Sequence, residues 1–167
     1  MPVNLESVFH SQFGDRWILT GSAAVYRYLV ALGLSDRFAI TVNDVDIIYI
    51  DNEFNNNGFN GFFRKQSSPQ RSMTFINEEE RVSFDVNIQR SERYYTIDGV
   101  KLVHPNVMLE EYIDNFVSRG RLPSDQTKIE ALRSVIVELK NLGLTPSILE
   151  VPKGMTSYRS KFARGRE

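Results

Sequence analysis

Two aspartates stand two positions apart where a polar approach meets an apolar run. Asp44 and Asp46 flank Val45 and lead into residues 47–50, which are rich in β-branched side chains and predict a strand. Because side chains alternate along a strand, both carboxylates are expected on one face, about 7 Å apart. Carboxylate oxygens are ligands that magnesium prefers. The pair indicates a site for a divalent cation; the alternative is two solvated acids at the mouth of a strand.

A third aspartate lies inside a later alternating stretch. In residues 82–88 the apolar side chains occupy one face, and Asp85 lies on the other with Ser83 and Asn87. Aspartate is uncommon inside strands, and taken singly Asp85 is a solvent-facing residue. If its strand pairs beside residues 47–50, three carboxylates converge. Two carboxylates about 4 Å apart repel by roughly 4 kcal/mol at an effective dielectric near 20, so convergence predicts a bound cation.

A glycine and a serine separate a predicted strand from a predicted helix. Residues 16–20 contain a short apolar run, and residues 23–32 repeat apolar side chains at helical spacing up to Gly33. Gly21 allows the backbone to approach a ligand closely, and the N–H groups that begin a helix attract phosphate. Gly21 and Ser22 together indicate a phosphate-binding turn; the alternative is a plain turn between strand and helix.

The elements after these turns complete an α+β pattern. Two hairpins are predicted, 72–77 with 81–88 across the acidic turn 78–80, and 94–97 with 100–103 across Asp98-Gly99. Helices are predicted over 106–117 and 125–142, the second capped by Ser124 and ended by Gly143. The stretch 51–61 predicts a loop, with Phe54 and Phe59 as possible anchors. Strands first and helices last predict an α+β fold with a mixed sheet flanked by helices.

The composition is that of an ordinary globular domain. At 167 residues, with 41% hydrophobic and 25% charged side chains, the chain can bury a hydrophobic core without disulfides or a structural metal to stabilise it. The absence of cysteine excludes disulfides, thiolate metal sites and a cysteine nucleophile. No run of about 18 apolar residues and no signal-peptide pattern is present, so we expect a cytoplasmic protein with no membrane partner.

The charge is unevenly distributed along the chain. Of 20 basic and 21 acidic residues, five bases and one acid lie in residues 153–167, so the tail is positive and the rest is acidic. Tyr158 and Phe162 are interleaved with these bases. From Lys153 to Arg166, this arrangement predicts a segment that binds single-stranded nucleic acid or a tRNA end. The alternative is a solvated C-terminus.

Together these motifs resemble the signature of the DNA polymerase β-type nucleotidyltransferase superfamily. The matching residues are Ile18-Leu19-Thr20-Gly21-Ser22-Ala23-Ala24, then Arg37 and Thr41, then Asn43-Asp44-Val45-Asp46-Ile47, and then Asp85. The chain looks most like the AbiEii-type toxin nucleotidyltransferases, in which a full helix separates the turn from the Asp-x-Asp motif. Residues 103–109 resemble the start of that family's helical part, and residues 125–132 resemble its final helix. The likeness covers roughly residues 15–140.

The resemblance implies a nucleotidyltransferase fold and a metal-dependent transfer of an NMP from an NTP to an acceptor hydroxyl. Asp44 and Asp46 would bind two magnesium ions, with manganese as a substitute. Asp85 would complete the second metal site and help to activate the acceptor. Two metals would then clamp the attacking and leaving oxygens of an in-line displacement. The acceptor is left open between RNA or tRNA, a protein hydroxyl and a small molecule.

The resemblance also implies residues that bind the nucleotide. Gly21 and Ser22 would hold the β- and γ-phosphates of an NTP such as ATP, with the base preference left open. Lys128, or else Arg37 or Arg133, would neutralise the departing pyrophosphate. A protein partner such as an antitoxin is a further expectation.

The expected organisation is one compact domain in three consecutive segments. These are a catalytic core over residues 1–104, C-terminal helices over 105–150 and a basic tail over 151–167. One alternative function is a catalytically silent nucleotidyltransferase-like module that binds a protein or nucleic acid. Another is a toxin-system component or viral protein that only borrows the fold.

Overall fold

The computed structural model describes residues 3–54, 58–65 and 72–152. The helices in this part of the chain are α1 (Leu5–Phe13), α2 (Gly21–Ala31), α3 (Pro105–Ser118) and α4 (Pro123–Leu142). The strands are β1 (Trp17–Thr20), β2 (Val45–Ile50), β3 (Gly58–Phe59), β4 (Phe62–Lys65), β5 (Ser72–Asn77), β6 (Val82–Gln89), β7 (Ser91–Ile97), β8 (Val100–Val103) and β9 (Ser147–Glu150). The α+β class predicted from the sequence is confirmed. No helix in these ranges is both long and apolar enough to cross a membrane.

The chain divides into two compact units, each assembled from separated stretches of sequence. Among the described residues, the first unit combines residues 3–17, 46–54, 58–65, 72–92 and 148–152, and the second combines Ile18–Val45 and Arg93–Ser147. The three consecutive segments expected from the sequence stay a prediction. Residues 153–167 of the proposed nucleic-acid-binding tail lie outside the described residues.

The first unit is built from antiparallel strands around a cluster of aromatic rings. Its strands follow the order β3-β4-β5-β6-β2, and β3 with β4, β4 with β5 and β5 with β6 are antiparallel. Asn4 caps the start of helix α1, and its side chain accepts a hydrogen bond from the Ser7 N–H at 3.2 Å. The rings of the cluster are those of Phe9, Phe13, Tyr49, Phe54, Phe59, Phe62, Phe75 and Phe84. Tilted and edge-on ring pairs of this kind add to the free energy of burying apolar area.

The second unit combines parallel and antiparallel pairing, which confirms the mixed sheet. Strand β1 runs parallel to β8, with Leu19 opposite Leu102, and β7 runs antiparallel to β8. Helices α3 and α4 pack against each other, and α2 packs against α4 and β8. The apolar stripe predicted for the last helix is buried here, at Ile129, Leu132 and Val135 among others.

Both predicted hairpins are present, and their turns explain why. The turn between β7 and β8 places Asp98 at φ 51° and Gly99 at φ 80°, a left-handed pair that Asp-Gly adopts readily. The acidic turn joins β5 to β6 over a six-residue register from Ser72 opposite Asn87 to Asn77 opposite Val82. Local turn chemistry was therefore sufficient to identify the hairpin of β7 and β8.

Several local predictions were wrong or incomplete. Ser124 does not cap α4, because the helix already begins at Pro123 with Leu122 in the capping position. A proline in the first helical position needs no N–H partner and has its φ set for the helix. Part of the loop predicted over residues 51–61 forms strand β3. Residues 55–57 of that loop lie outside the described residues. Phe54 and Phe59 are confirmed as anchors, since both rings contact Phe13.

Candidate active site

Asp46 and Asp85 lie on the same face of the first unit's sheet. The rings of Tyr49 on β2 and Phe84 on β6 both contact Phe13 of α1, at centroid distances of 5.0 and 6.4 Å. Both rings therefore project from the face that α1 covers. Side chains alternate along each strand, so Asp46 and Asp85 project from the opposite face. Because β2 and β6 are neighbours in the sheet, the two carboxylates belong to adjacent strands.

The ends of the two strands show that Asp46 and Asp85 lie at similar positions along the strand direction. The Asp51 N–H, just beyond the end of β2, donates to the carbonyl of Gln89, the last residue of β6, at 3.1 Å. The two strands therefore finish at the same edge and run in the same direction. Asp46 and Asp85 precede this contact by similar lengths of chain. Both side chains are half-buried, so neither is deep in an apolar core.

A hydroxyl on the next strand contacts Asp85. Thr74 on β5 lies directly opposite Asp85, and its Oγ1 donates a hydrogen bond to Asp85 Oδ1 at 2.5 Å. Sequence reasoning missed Thr74, because no local motif marks it; the register of the hairpin is what brings it to Asp85.

The second unit contains the predicted phosphate-binding turn. Gly21 follows β1 directly, begins α2 and has φ 68°, a left-handed conformation that a glycine adopts without steric cost. Thr20 occupies the capping position of α2, and its side chain makes no capping hydrogen bond. The first turn of α2 contains no acidic residue. The helix therefore begins with N–H groups and a positive dipole end that suit an anion.

The remaining predicted site residues also fall in the second unit. Asp44 is exposed and immediately precedes β2. Arg37 is exposed, with its guanidinium carbon 5.6 Å from the centre of the Phe38 ring. Lys128, on the second turn of α4, holds its Nζ 5.1 Å from the centre of the Tyr112 ring. Arg133 is exposed on the same helix.

Comparison with solved structures identifies the architecture. The chain superimposes on the Megavirus polyadenylate synthase with a TM-score of 0.57 over 84% of its length, at 13% sequence identity. It has the nucleotidyltransferase fold. The chain spans 31% of the length of that viral enzyme. No protein-family model matches the sequence, and no curated protein matches it.

The donor atoms on this face suit magnesium. Asp46 and Asp85 offer carboxylate oxygens, and magnesium is usually held by one or two carboxylates together with the phosphates of a substrate. Within residues 3–54, 58–65 and 72–152, no group of three or more His, Cys, Asp or Glu side chains is arranged to hold a metal. A site completed by the nucleotide does not require such a group.

Proposed function

We propose that this chain is a metal-dependent nucleotidyltransferase that moves an NMP from an NTP to an acceptor hydroxyl. The observation that carries the proposal is the placement of Asp46 and Asp85 on one face of two adjacent strands, opposite the aromatic cluster. Two neighbouring carboxylates are unfavourable for stability alone, and they suit a cation that carries a triphosphate. The shared fold with a polyadenylate synthase supports the same reaction class.

The three aspartates have distinct proposed roles. Asp44 and Asp46 would hold magnesium together with the phosphates of the nucleotide, and Asp85 would complete the second metal site. When bound, magnesium would supply charge neutralisation and help to align the reacting groups. Asp85 also accepts the proton of the acceptor hydroxyl as its oxygen forms a bond to the α-phosphorus. The bond between the α-phosphorus and the β-phosphate oxygen breaks, and pyrophosphate leaves.

Further residues are proposed to contact the nucleotide. The N–H groups at Gly21 and Ser22 bind phosphate oxygens, supported by the left-handed glycine and the uncapped start of α2. Lys128 is the first candidate for neutralising pyrophosphate, with Arg37 and Arg133 as alternatives. The ring contacts of Lys128 and Arg37 leave their positive charges intact.

The proposed acceptor is RNA. Two facts support it: the fold is shared with an enzyme that synthesises polyadenylate, and basic and aromatic residues are interleaved between Lys153 and Arg166. ATP is the corresponding donor. A closer relation to the AbiEii-type toxins, with an antitoxin as protein partner, stays a prediction.

The test is transfer of labelled nucleotide. The protein is incubated with magnesium or manganese and each α-labelled NTP, alone and with total RNA, beside Asp46→Asn and Asp85→Asn. We expect label on RNA from the wild-type protein and a loss of at least about a hundredfold in each variant, because a missing carboxylate weakens metal binding. Asp114→Asn, a change at an exposed residue of α3, is the matched control and should retain full activity.

The outcomes separate the candidate functions. Label on protein or on a small molecule would keep the transferase and replace RNA as the acceptor. Metal-dependent NTP binding without transfer to any acceptor would favour the catalytically silent module. Equal transfer by the wild type and both aspartate variants would contradict the proposed site.

A further inference from the structure

We infer that Thr74 is a positioning residue for Asp85, fixing which carboxylate oxygen faces the cation. The inference rests on the proposed function, and it adds a residue that no sequence motif identifies. Its basis is the hydrogen bond from Thr74 Oγ1 to Asp85 Oδ1 at 2.5 Å, between directly opposed residues of β5 and β6.

The direction of this hydrogen bond follows from its chemistry. An ionised carboxylate has no proton to give, so the threonine hydroxyl is the donor. Oδ1 is therefore the carboxylate oxygen that Thr74 engages, and in the proposal Oδ2 is the oxygen left for the metal. Hydrogen bonds between a hydroxyl and a carboxylate are among the stronger hydrogen bonds in proteins.

The surrounding strands hold the hydroxyl in place. Threonine is β-branched and has few side-chain rotamers in a strand. Met73 and Phe75, the neighbours of Thr74, are fully buried on the opposite face, which anchors this part of β5. The six-residue register with β6 fixes the level of Thr74 relative to Asp85. The carboxylate is thus oriented before any ligand arrives, which reduces the reorganisation that metal binding would require.

Two substitutions separate the hydroxyl from the shape of the side chain. Thr74→Val removes the hydroxyl and keeps the branched form, and Thr74→Ser keeps the hydroxyl. Thr96→Val, at an exposed position of β7, is the matched control. The readouts are the affinity for Mn²⁺ in the presence of a non-hydrolysable NTP analogue, followed by electron paramagnetic resonance, and the kcat of transfer. Thermal unfolding of each variant is measured alongside.

We expect Thr74→Val to weaken Mn²⁺ affinity and lower kcat about ten- to a hundredfold, as for other residues that orient metal ligands. Thr74→Ser should remain within about threefold of the wild type, and Thr96→Val should be unchanged. A purely structural role would lower the unfolding temperature of Thr74→Val and leave the Mn²⁺ affinity of the folded protein unaltered, which would overturn the inference.

Asp85→Asn distinguishes failure of this inference from failure of the proposed function. If Asp85→Asn abolishes Mn²⁺ binding and Thr74→Val has no effect, the positioning role is wrong and the transferase proposal stands. If the wild-type protein binds no Mn²⁺ with the analogue and transfers no nucleotide, both proposals fail. If metal binds without measurable transfer, the Mn²⁺ affinities of the two threonine variants test the positioning role. Weaker binding by Thr74→Val than by Thr74→Ser supports it, and equal binding contradicts it.

Discussion

Tyr28 attaches helix α2 to the end of strand β8 through its hydroxyl. The residue is fully buried, and its hydroxyl lies 2.8 Å from the Val103 carbonyl and 3.2 Å from the Leu102 carbonyl. Burial raises the pKa of the phenol far above its ordinary value, with a smaller contribution from Tyr95. Since Gly21 begins the same helix, this hydrogen bond helps to fix the helix that carries the proposed phosphate-binding turn.

Removing this hydroxyl should destabilise the protein. Tyr28→Phe leaves buried carbonyl oxygens without their donor, and we expect the free energy of unfolding to fall by about 1–3 kcal/mol. Urea unfolding followed by circular dichroism measures the change. Tyr26→Phe, at a residue 45% exposed on the same helix, is the control and should stay within about 0.5 kcal/mol of the wild type.

The same pair of proteins gives a pH-dependent prediction. The raised pKa of Tyr28 means that its stabilising contribution is fully present below 10.0, the ordinary value, and decreases as the unfolded chain ionises above it. The stability advantage of the wild type over Tyr28→Phe should therefore shrink at alkaline pH. A constant difference in unfolding free energy through that range would contradict this account.

At the scale of elements, a histidine starts helix α3. His104 follows β8 directly, and its Nδ1 accepts a hydrogen bond from the Asn106 N–H at 3.1 Å. This contact requires Nδ1 to be unprotonated. Burial lowers the pKa of the imidazole, and the nearby charge of Arg93 lowers it further. The first turn of α3 therefore depends on a neutral histidine.

Acid should weaken this helix start. The pKa of His104 in the folded protein is lowered below its ordinary value of 6.5. The contribution of His104 to stability is therefore fully present above pH 6.5, and it is lost as the pH falls through the pKa of the folded state. His104→Asn keeps a side-chain oxygen that can cap the helix and removes the titration. We expect the wild type to lose thermal stability relative to His104→Asn between about pH 8 and about pH 5. Parallel acid profiles of the two proteins would contradict the prediction.

At the scale of the molecule, the aromatic cluster carries much of the first unit's core. Phe84 is fully buried on β6 and contacts the rings of Phe9, Phe62 and Phe75 at 4.9, 5.2 and 5.5 Å. It is also the direct neighbour of Asp85 along the strand. Because side chains alternate along the strand, burial of Phe84 on one face places the Asp85 side chain on the other face.

Truncating this ring should affect the whole unit. We expect Phe84→Ala to lower the free energy of unfolding by about 3–5 kcal/mol, a large part of the 5–15 kcal/mol typical of a domain. Phe63→Ala, at a position 44% exposed on β4, is the control and should cost much less. Denaturant midpoints measure both. Equal losses for the two variants would show that the cluster is not the core of this unit.

Local features of the sequence were sufficient to predict many of the elements. The Asp-Gly turn identified the hairpin of β7 and β8, and the spacing of apolar residues identified α2, α3 and α4. These features depend on backbone conformation and on the period of one helix or strand, which neighbouring residues determine. Helix α1 and strands β3, β4 and β9 were not predicted. They are short, and packing rather than local propensity decides whether such segments are ordered.

The alternation of side chains determined that Asp46 and Tyr49 project from different faces of the sheet, and so do Asp85 and Phe84. This period is a property of each strand alone. Only the tertiary structure decided that β2 and β6 are neighbours, so that the two aspartates share a face, and that Thr74 lies against Asp85. Pairing between strands far apart in the chain depends on the summed packing of many side chains, among them the rings around Phe13 and Phe84, and no local pattern encodes that sum.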